Sequence, residues 1–350
     1  VKKIISERDF GRMDARVTYF IRGAAQQNFG DYLPELIFKE CLTYPKIDAD
    51  AFRLVGSVIE DRWIRRDLRR VNGHVGGVIA YWCCGARRES SLSSKTLSHC
   101  RFFGVRGPLT RDLLNLPAST VLGDPGLLVP LLHRTSLHPH TKGKMVCMPH
   151  THDRKSDDEM LRISGADVLI HPRVIATEAA LRELMDKIAS AGFLLTGSLH
   201  GAILACAFKR PFAFWDNGHV DIPFKWHDFA ASINMPAIFV RNVAEGIEFY
   251  DSVAKKISVP TLTEILDVCP FVVRPSLLLR AMAYDEPECE PEVRSCADKL
   301  DKLSSFSRDE IFRLQEESAD NRRARRNILF NTNANLWLLL RKLKSKLSNN

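Results

Sequence analysis

GFLLTGSLHGAILACAF, residues 192–208, is the stretch on which the fold turns. Its length falls short of a comfortable membrane span, and it carries a histidine and small polar breaks, so it is not one apolar rod. Phe193 to Thr196 suit a strand, Gly197 and Ser198 a tight turn, and the remainder an apolar helix. A strand that feeds straight into a helix is the unit of a parallel sheet covered by helices.

The same alternation extends in both directions. MVCMPH (145–150), ADVLIH (166–171) and the helix TEAALRELMDKIASA (177–191) precede it, and PFAFW (211–215) and AIFV (237–240) follow. An earlier set begins at VTYFIR (17–22), passes through the loop GAAQQNFGD to a helix from about Tyr32, and continues with FRLVGSVI, HVGGVIAYW, RFFGVR and STVLGD. Between the sets, HRTSLHPHTKGK (133–144) is poor in core residues and reads as a linker. The expected architecture is α/β. Two Rossmann-like domains, 1–135 and 136–260, face each other across a cleft, and a helical C-terminal extension, 261–350, ends in a basic amphipathic tail.

With 45% hydrophobic and 26% charged residues in 350, the chain is neither disordered, collagen-like nor a small disulfide scaffold. Nine cysteines, an odd number with no CxxC pair, favour reduced thiols in a cytoplasm. Lys2, Lys3, Glu7, Arg8 and Asp9 interrupt the N-terminus too early for a signal peptide. The formal net charge of +8 is matched by eight basic residues and no acid within 321–350, so no nucleic-acid groove is expected through the fold. In that tail Leu336, Leu339, Leu340, Leu343 and Leu347 keep helical spacing beside Arg341, Lys342, Lys344 and Lys346, the pattern of a helix lying on an anionic membrane or of one packed on the enzyme or a second subunit. The place expected for the protein is the cytoplasm and, on the membrane reading of the tail, the periphery of the inner leaflet.

In doubly wound sheets chemistry sits beyond the carboxyl ends of the strands. His200 falls in the first turn of its helix, where backbone N–H groups welcome an anion. PHTHDR (149–154) and IHPR (170–173) bring His150, His152, Arg154, His171 and Arg173 to the same edge. No third ligand joins His150 and His152 at a convincing spacing, so a cation cluster for an anionic ligand is the better reading and no metal is expected. NFGD (28–31), RGPLTR (106–111) and GDPG (123–126) each also make sense as plain helix capping.

Taken in order, NFGDYL, LVGS, VRGPLTRDLL, VLGDPGLLVP, MPHTHDR, IHPR, TGSLHGAILACAF and FKWHDF resemble the polysaccharide pyruvyl transferases, particularly the ketal-forming exopolysaccharide branch, over residues 17–240. The resemblance implies a GT-B-like fold, phosphoenolpyruvate as donor, a sugar or lipid-linked glycan as acceptor, and no cofactor. It implies substrate-binding roles for Asn28, Gly30, Arg106, Asp124, His150, His152, Arg154, Arg173, Ser198 and Lys225. Many members of that family carry Arg-Leu-His where this chain has Ser198-Leu199-His200, so the donor's anion must lean on other cations, for which Arg154, Arg173 and Lys225 are the candidates. His200 is the first choice for proton traffic, with His150 or His152 in reserve, and Asp31 can orient or deprotonate the sugar. Two other readings stay open at this level: a nucleotide-sugar glycosyltransferase of the same architecture, and a non-catalytic binding protein built on it.

Overall fold

The computed structural model describes residues 16–18, 24–71, 77–90, 92–289, 293 and 295–298. The chain divides into two compact units, Val1–Val293 and Arg294–Asn350, and the sheets and helices below belong to the first. The amphipathic pattern at 321–350 lies outside the described residues.

The first half contains β1 (Gln26–Asn28), α1 (Phe29–Cys41), β2 (Leu42–Pro45), β3 (Ala51–Arg53), β4 (Ser57–Ile59), α2 (Asp61–Val71), β5 (Ile79–Ala86), α3 (Ser94–Leu97), β6 (Cys100–Val105), α4 (Pro108–Leu113) and α5 (Val129–Leu132). β5 is the central strand and is buried along its whole length, as a strand covered on both faces must be. β3 and β4 pair with its two ends and β6 flanks its other side, all parallel. FRLVGSVI therefore forms not one strand but two, parted where Gly56 adopts a φ of +112° that a side chain would resist. Single parallel bridges from Val17 to Phe52 and from Val105 to Leu122 extend the sheet at both edges. Neighbours in space thus follow chain order.

A sheet that always winds the same way places its crossover helices on one face. Ile79, Tyr81 and Cys84 accordingly share a cluster with Ile64 of α2, Thr96-flanking Leu97 and Leu114. Ala80, Trp82 and Cys83 face the other way. That second face is covered partly by a late segment of the chain, and the Trp82 indole donates to the carbonyl of Ile265 at 2.9 Å.

The second half contains β7 (Met145–Met148), α6 (Asp157–Ser164), β8 (Val168–Leu169), β9 (Arg173–Ile175), α7 (Glu178–Ser190), β10 (Phe193–Thr196), α8 (Leu199–Ala207), β11 (Phe212–Trp215), α9 (Pro223–Ser232), β12 (Phe239–Val240) and α10 (Val243–Val253). Its five parallel strands lie in the order β12-β11-β10-β7-β8. Counted within the sheet this is the 2-1-3-4-5 order of doubly wound folds, with its direction of winding reversed between β7 and β10. The helices are capped as their sequences suggest: Ser156 and Thr177 accept from the backbone N–H three residues on, and Gly165 closes α6 with a φ of +65°.

β9 leaves this sheet and pairs antiparallel with β1 of the first half, Asn28 opposite Arg173. The segment 133–144, read as a linker, is held down by Asp186, which accepts from the Ser136 N–H at 2.9 Å and meets His133 at 2.7 Å. Beyond 260, α11 (Leu262–Asp267), β13 (Phe271–Val273) and α12 (Pro275–Asp285) return to the first half, where β13 pairs with β2. One hydrophobic cluster runs from Val17 through both sheets to Ala281. The doubly wound expectation describes the second sheet; the first follows a sequential order that local alternation of strands and helices does not reveal.

Candidate active site

A pocket of about 180 Å³ opens where the second sheet reverses. The loop after β7 supplies His150, Thr151 and His152, and the turn after β10 supplies Ser198, Leu199 and His200. Opposite them stand Asn28 and Asp31 from the start of α1, Arg53, Gly56, Ser57 and Val58 from the β3–β4 edge, Trp63 from α2 and Arg87 from the end of β5. Asp221, just before α9, and Lys225, in its first turn, complete the lining.

The α8 N-terminus is left open toward this space. Thr196 Oγ1 closes the turn by accepting from the Ser198 N–H and donating to the Ser198 carbonyl, both at 3.0 Å, while the Ser198 hydroxyl makes no cap. His200 is only 8% exposed and its Nε2 has no hydrogen-bond partner among the described residues. Its ring explains the glycine in NFGD: a Cβ on Gly30 would lie 2.1 Å from His200 Nδ1. Burial lowers the imidazole pKa to about 4, Asp124 opposing and Arg106 and Lys225 assisting, so the ring is neutral at pH 7. Asp31 moves the other way. Burial raises its carboxyl pKa against the hydrogen bond donated by Asn28 Nδ2 at 3.2 Å.

Lys225 and Asp221 form a close ion pair at i and i+4, and His150 Nε2 lies 3.4 Å from the same carboxylate oxygen. Burial works against the charge on both partners. It still leaves Asp221 well below the usual carboxylate range, because His150 and Lys225 both favour its anion. Lys225 is pulled down by burial more than Asp221 lifts it. Arg53 is committed to Asp67 through two bonds of 2.7 and 2.6 Å, whereas Arg87 approaches Glu60 only to 3.8 Å. The pocket thus offers cations in three degrees of engagement: Arg53 locked, Lys225 paired at the wall, Arg87 loosely held.

Beneath the pocket, Arg106 and Asp124 form a fully buried ion pair at 2.8 Å; the second Asp124 oxygen accepts from the Gly126 N–H at 2.9 Å. Arg106 reaches the lining through Ser57, whose hydroxyl it contacts at 2.6 Å. A second buried carboxylate, Asp228, accepts from both the N–H and the hydroxyl of Thr110 at 2.8 and 2.6 Å. Gly107 caps α4 so close to this clasp that a Cβ would sit 2.0 Å from the Asp228 carbonyl. RGPLT and FKWHDF are therefore two halves of one joint, which anchors the helix carrying Lys225 to the first sheet.

Residues 84–219, which span β6, the whole run from β7 to β11 and the His150–His152 and Ser198–His200 loops, match the family model for polysaccharide pyruvyl transferase. Over that stretch the chain is similar to that family. The match supports an enzyme of the transferase class, and the matched family implies a polysaccharide acceptor. A search of the curated proteins finds no match.

The pocket gathers Asn28, Asp31, His150, His152, Ser198, His200 and Lys225 of the residues expected from sequence, with Gly30 packed under His200. Arg106 and Asp124 lie beneath it and do not line it. Arg154 and Arg173 are exposed and outside the lining, Arg173 spending its guanidinium on the Thr151 carbonyl at 3.4 Å. His171 pairs with Asp157 on the surface at 3.1 Å. Arg53, Ser57, Trp63, Arg87 and Asp221 were not expected. For Asp221 a signal existed, its place four residues before Lys225 in a helix start. For Arg53 and Arg87 nothing short of the strand pairing could show that two strand ends meet over the pocket. No group of three or more metal-ligating side chains occurs among the described residues, and no helix there is long and apolar enough to cross a membrane.

Proposed function

We propose that the enzyme transfers the pyruvyl group of phosphoenolpyruvate to a sugar of a surface or exopolysaccharide precursor and closes a pyruvate ketal, without a cofactor. The observation that carries this reading is a set of unsatisfied polar atoms. His200 Nε2 and Asn28 Oδ1 belong to lining residues, and Arg106 Nη2 to the side chain that bonds the lining Ser57; all three are buried without a partner among the described residues. Native proteins rarely leave such atoms unmatched, so a polar ligand is the natural complement. With the open α8 N-terminus, Lys225 and Arg87, the site suits a small molecule carrying phosphate and carboxylate.

In this mechanism a proton adds to the methylene carbon of the enol, and positive charge develops on the adjacent carbon. A sugar hydroxyl attacks that carbon and gives up its proton. Phosphate then departs with the bond to oxygen, and a second hydroxyl closes the ring, its proton balancing the charge on phosphate. Burial raises the Asp31 carboxyl and lowers the His200 imidazole, so each group favours its neutral form, one able to give a proton and the other to take one. Asp31, which holds its proton to higher pH than an ordinary carboxyl, serves as the acid; neutral His200, with Nε2 free, receives the hydroxyl proton. This exchanges the roles expected from residue type alone. The second half is the donor side and the first the acceptor side of a GT-B-like pair. The tail at 321–350 is kept as a cytoplasmic, inner-leaflet contact.

A donor screen with product analysis tests the proposal. Phosphate release from phosphoenolpyruvate, dependent on a saccharide and accompanied by a pyruvyl group on the product, is expected. Release of nucleoside diphosphate from a nucleotide sugar would overturn it in favour of glycosyl transfer.

A further inference from the structure

Net charge conceals a local concentration on α2. Its sequence, DRWIRRDLRRV, turns Ile64 and Asp67 inward, both buried, with Asp67 bound to Arg53. Arg62, Arg65, Arg66, Arg69 and Arg70 recur at i, i+3, i+4, i+7 and i+8, so they share one face. Arg62, Arg65, Arg69 and Arg70 are exposed. Asp61 meets Arg65 at 2.8 Å, and among the described residues no ion pair joins Arg62, Arg69 or Arg70 to a carboxylate.

The helix itself does not account for this face. Arg69 and Arg70 suit the negative end of the helix dipole, but Arg62 and Arg65 stand near its positive end, where cations are unfavourable. Every cation in the row is arginine, the side chain whose planar fork matches carboxylate and phosphate. The row also begins at the pocket. Trp63 lines the pocket, the Arg66 guanidinium lies 4.0 Å over its ring and that of Arg87, another lining residue, 6.0 Å from it. From there the arginines extend about 12 Å along the helix at the usual rise. α2 lies outside the family-matched stretch 84–219, as befits a feature that sets which acceptor this enzyme takes.

We propose that the arginine face of α2 is an acceptor subsite for an acidic polysaccharide, pairing its carboxylate or phosphate groups while the reacting sugar lies in the pocket beside Trp63. The proposal rests on reading that pocket as the site of pyruvyl transfer. A bilayer is the less fitting occupant, because the exposed face carries no row of apolar side chains to insert.

Binding to the full chain, measured without donor, separates this proposal from turnover of phosphoenolpyruvate. The probes are oligogalacturonate for carboxylate, a phosphomannan oligosaccharide for phosphate, maltooligosaccharide as the neutral control, and phosphatidylglycerol vesicles. At least one acidic oligosaccharide should bind tighter than the neutral one, with an affinity that falls as salt rises. Replacing Arg62, Arg65, Arg69 and Arg70 by Gln, a good helix former, should weaken that binding roughly tenfold, the sum of several exposed pairs, and flatten the salt dependence. The Arg69→Gln/Arg70→Gln double variant, with a smaller loss, keeps the test alive if the fourfold variant does not fold. Equal affinity for acidic and neutral oligosaccharides, or no loss in the folded variants, would overturn the proposal. So would a loss confined to the vesicles.

Discussion

The two parallel sheets of this chain differ in one respect that decides where chemistry can occur. The first winds in one direction from Val17 to Leu122, so its loops leave the carboxyl edge as an unbroken row. The second reverses between β7 and β10, and the loops that follow these strands part to opposite faces. The parting leaves the crevice into which His200 turns. The first sheet contributes a wall to that crevice: Arg53, Ser57 and Arg87 at strand ends and Trp63 on the next helix.

The ion pairs show the same division of labour. Arg106–Asp124, attached to the first sheet, is sealed from solvent and held by Gly126 and Ser57, with Arg106 Nη2 alone left unmatched. Lys225–Asp221, in the second half, stands at the pocket wall where an anion can compete for the ammonium. A sealed pair serves stability only in the sense that breaking it is costly, while an accessible one can change partner.

The largest effect is expected at the switch point. His200→Ala should lower turnover by roughly 10²–10⁴-fold, the usual contribution of an acid–base group, with the far-ultraviolet spectrum preserved. A variant that turns over at the wild-type rate would remove the reversal of the second sheet from the account. Next comes the sealed pair. Asp124→Ala should cost about 3–5 kcal/mol in urea unfolding by stranding Arg106, even though Asp124 reads as a ligand-binding residue in the sequence. A stable Asp124→Ala protein with weakened donor binding would dissolve the contrast between the two pairs. A smaller effect separates two cations. Lys225→Met should raise the donor dissociation constant by about tenfold, the order of one charge-assisted contact, and Arg173→Ala by far less, as titration calorimetry can show. Equal losses would mean that the donor extends past the pocket to β9.

The smallest expected effect is on stability against pH. The folded state holds His200 near 4, below the 6.5 of a free imidazole. Between these values the unfolded chain takes up a proton that the folded one refuses, so the stability His200 contributes is complete above pH 6.5 and lost as pH falls through 4. Urea midpoints at pH 7 and pH 5 should therefore lie closer together in His200→Gln than in the wild type. An unchanged gap would place His200 in water rather than in the buried position seen here.

Much of the second sheet was legible because each strand runs directly into its loop, as in TGSLHG, and local signals place His150, His152 and His200 at one edge. Strand order was not, since it depends on pairings such as Ala51 with Ile79 that no local spacing encodes. Arg106 and Asp124 each sit in a motif that suits a ligand, and only the fold shows that they pair with each other. Gly30 looked like a turn glycine; its cause is the ring of His200, which lies 170 positions on in the chain. The arginine row of α2 keeps a plain helical spacing, yet a charge count over the whole chain averages it away against acids elsewhere.

The central claim is that the donor sits at the reversal of the second sheet. A crystal structure of the enzyme with phosphoenolpyruvate or an unreactive analogue tests it most directly. Density is expected between the loop His150–His152 and the turn Ser198–His200, with an anionic group at the α8 N-terminus, within hydrogen-bond reach of His200 Nε2, and Lys225 turned toward it. Density that fills another part of the molecule, with the His200 ring untouched, would contradict it.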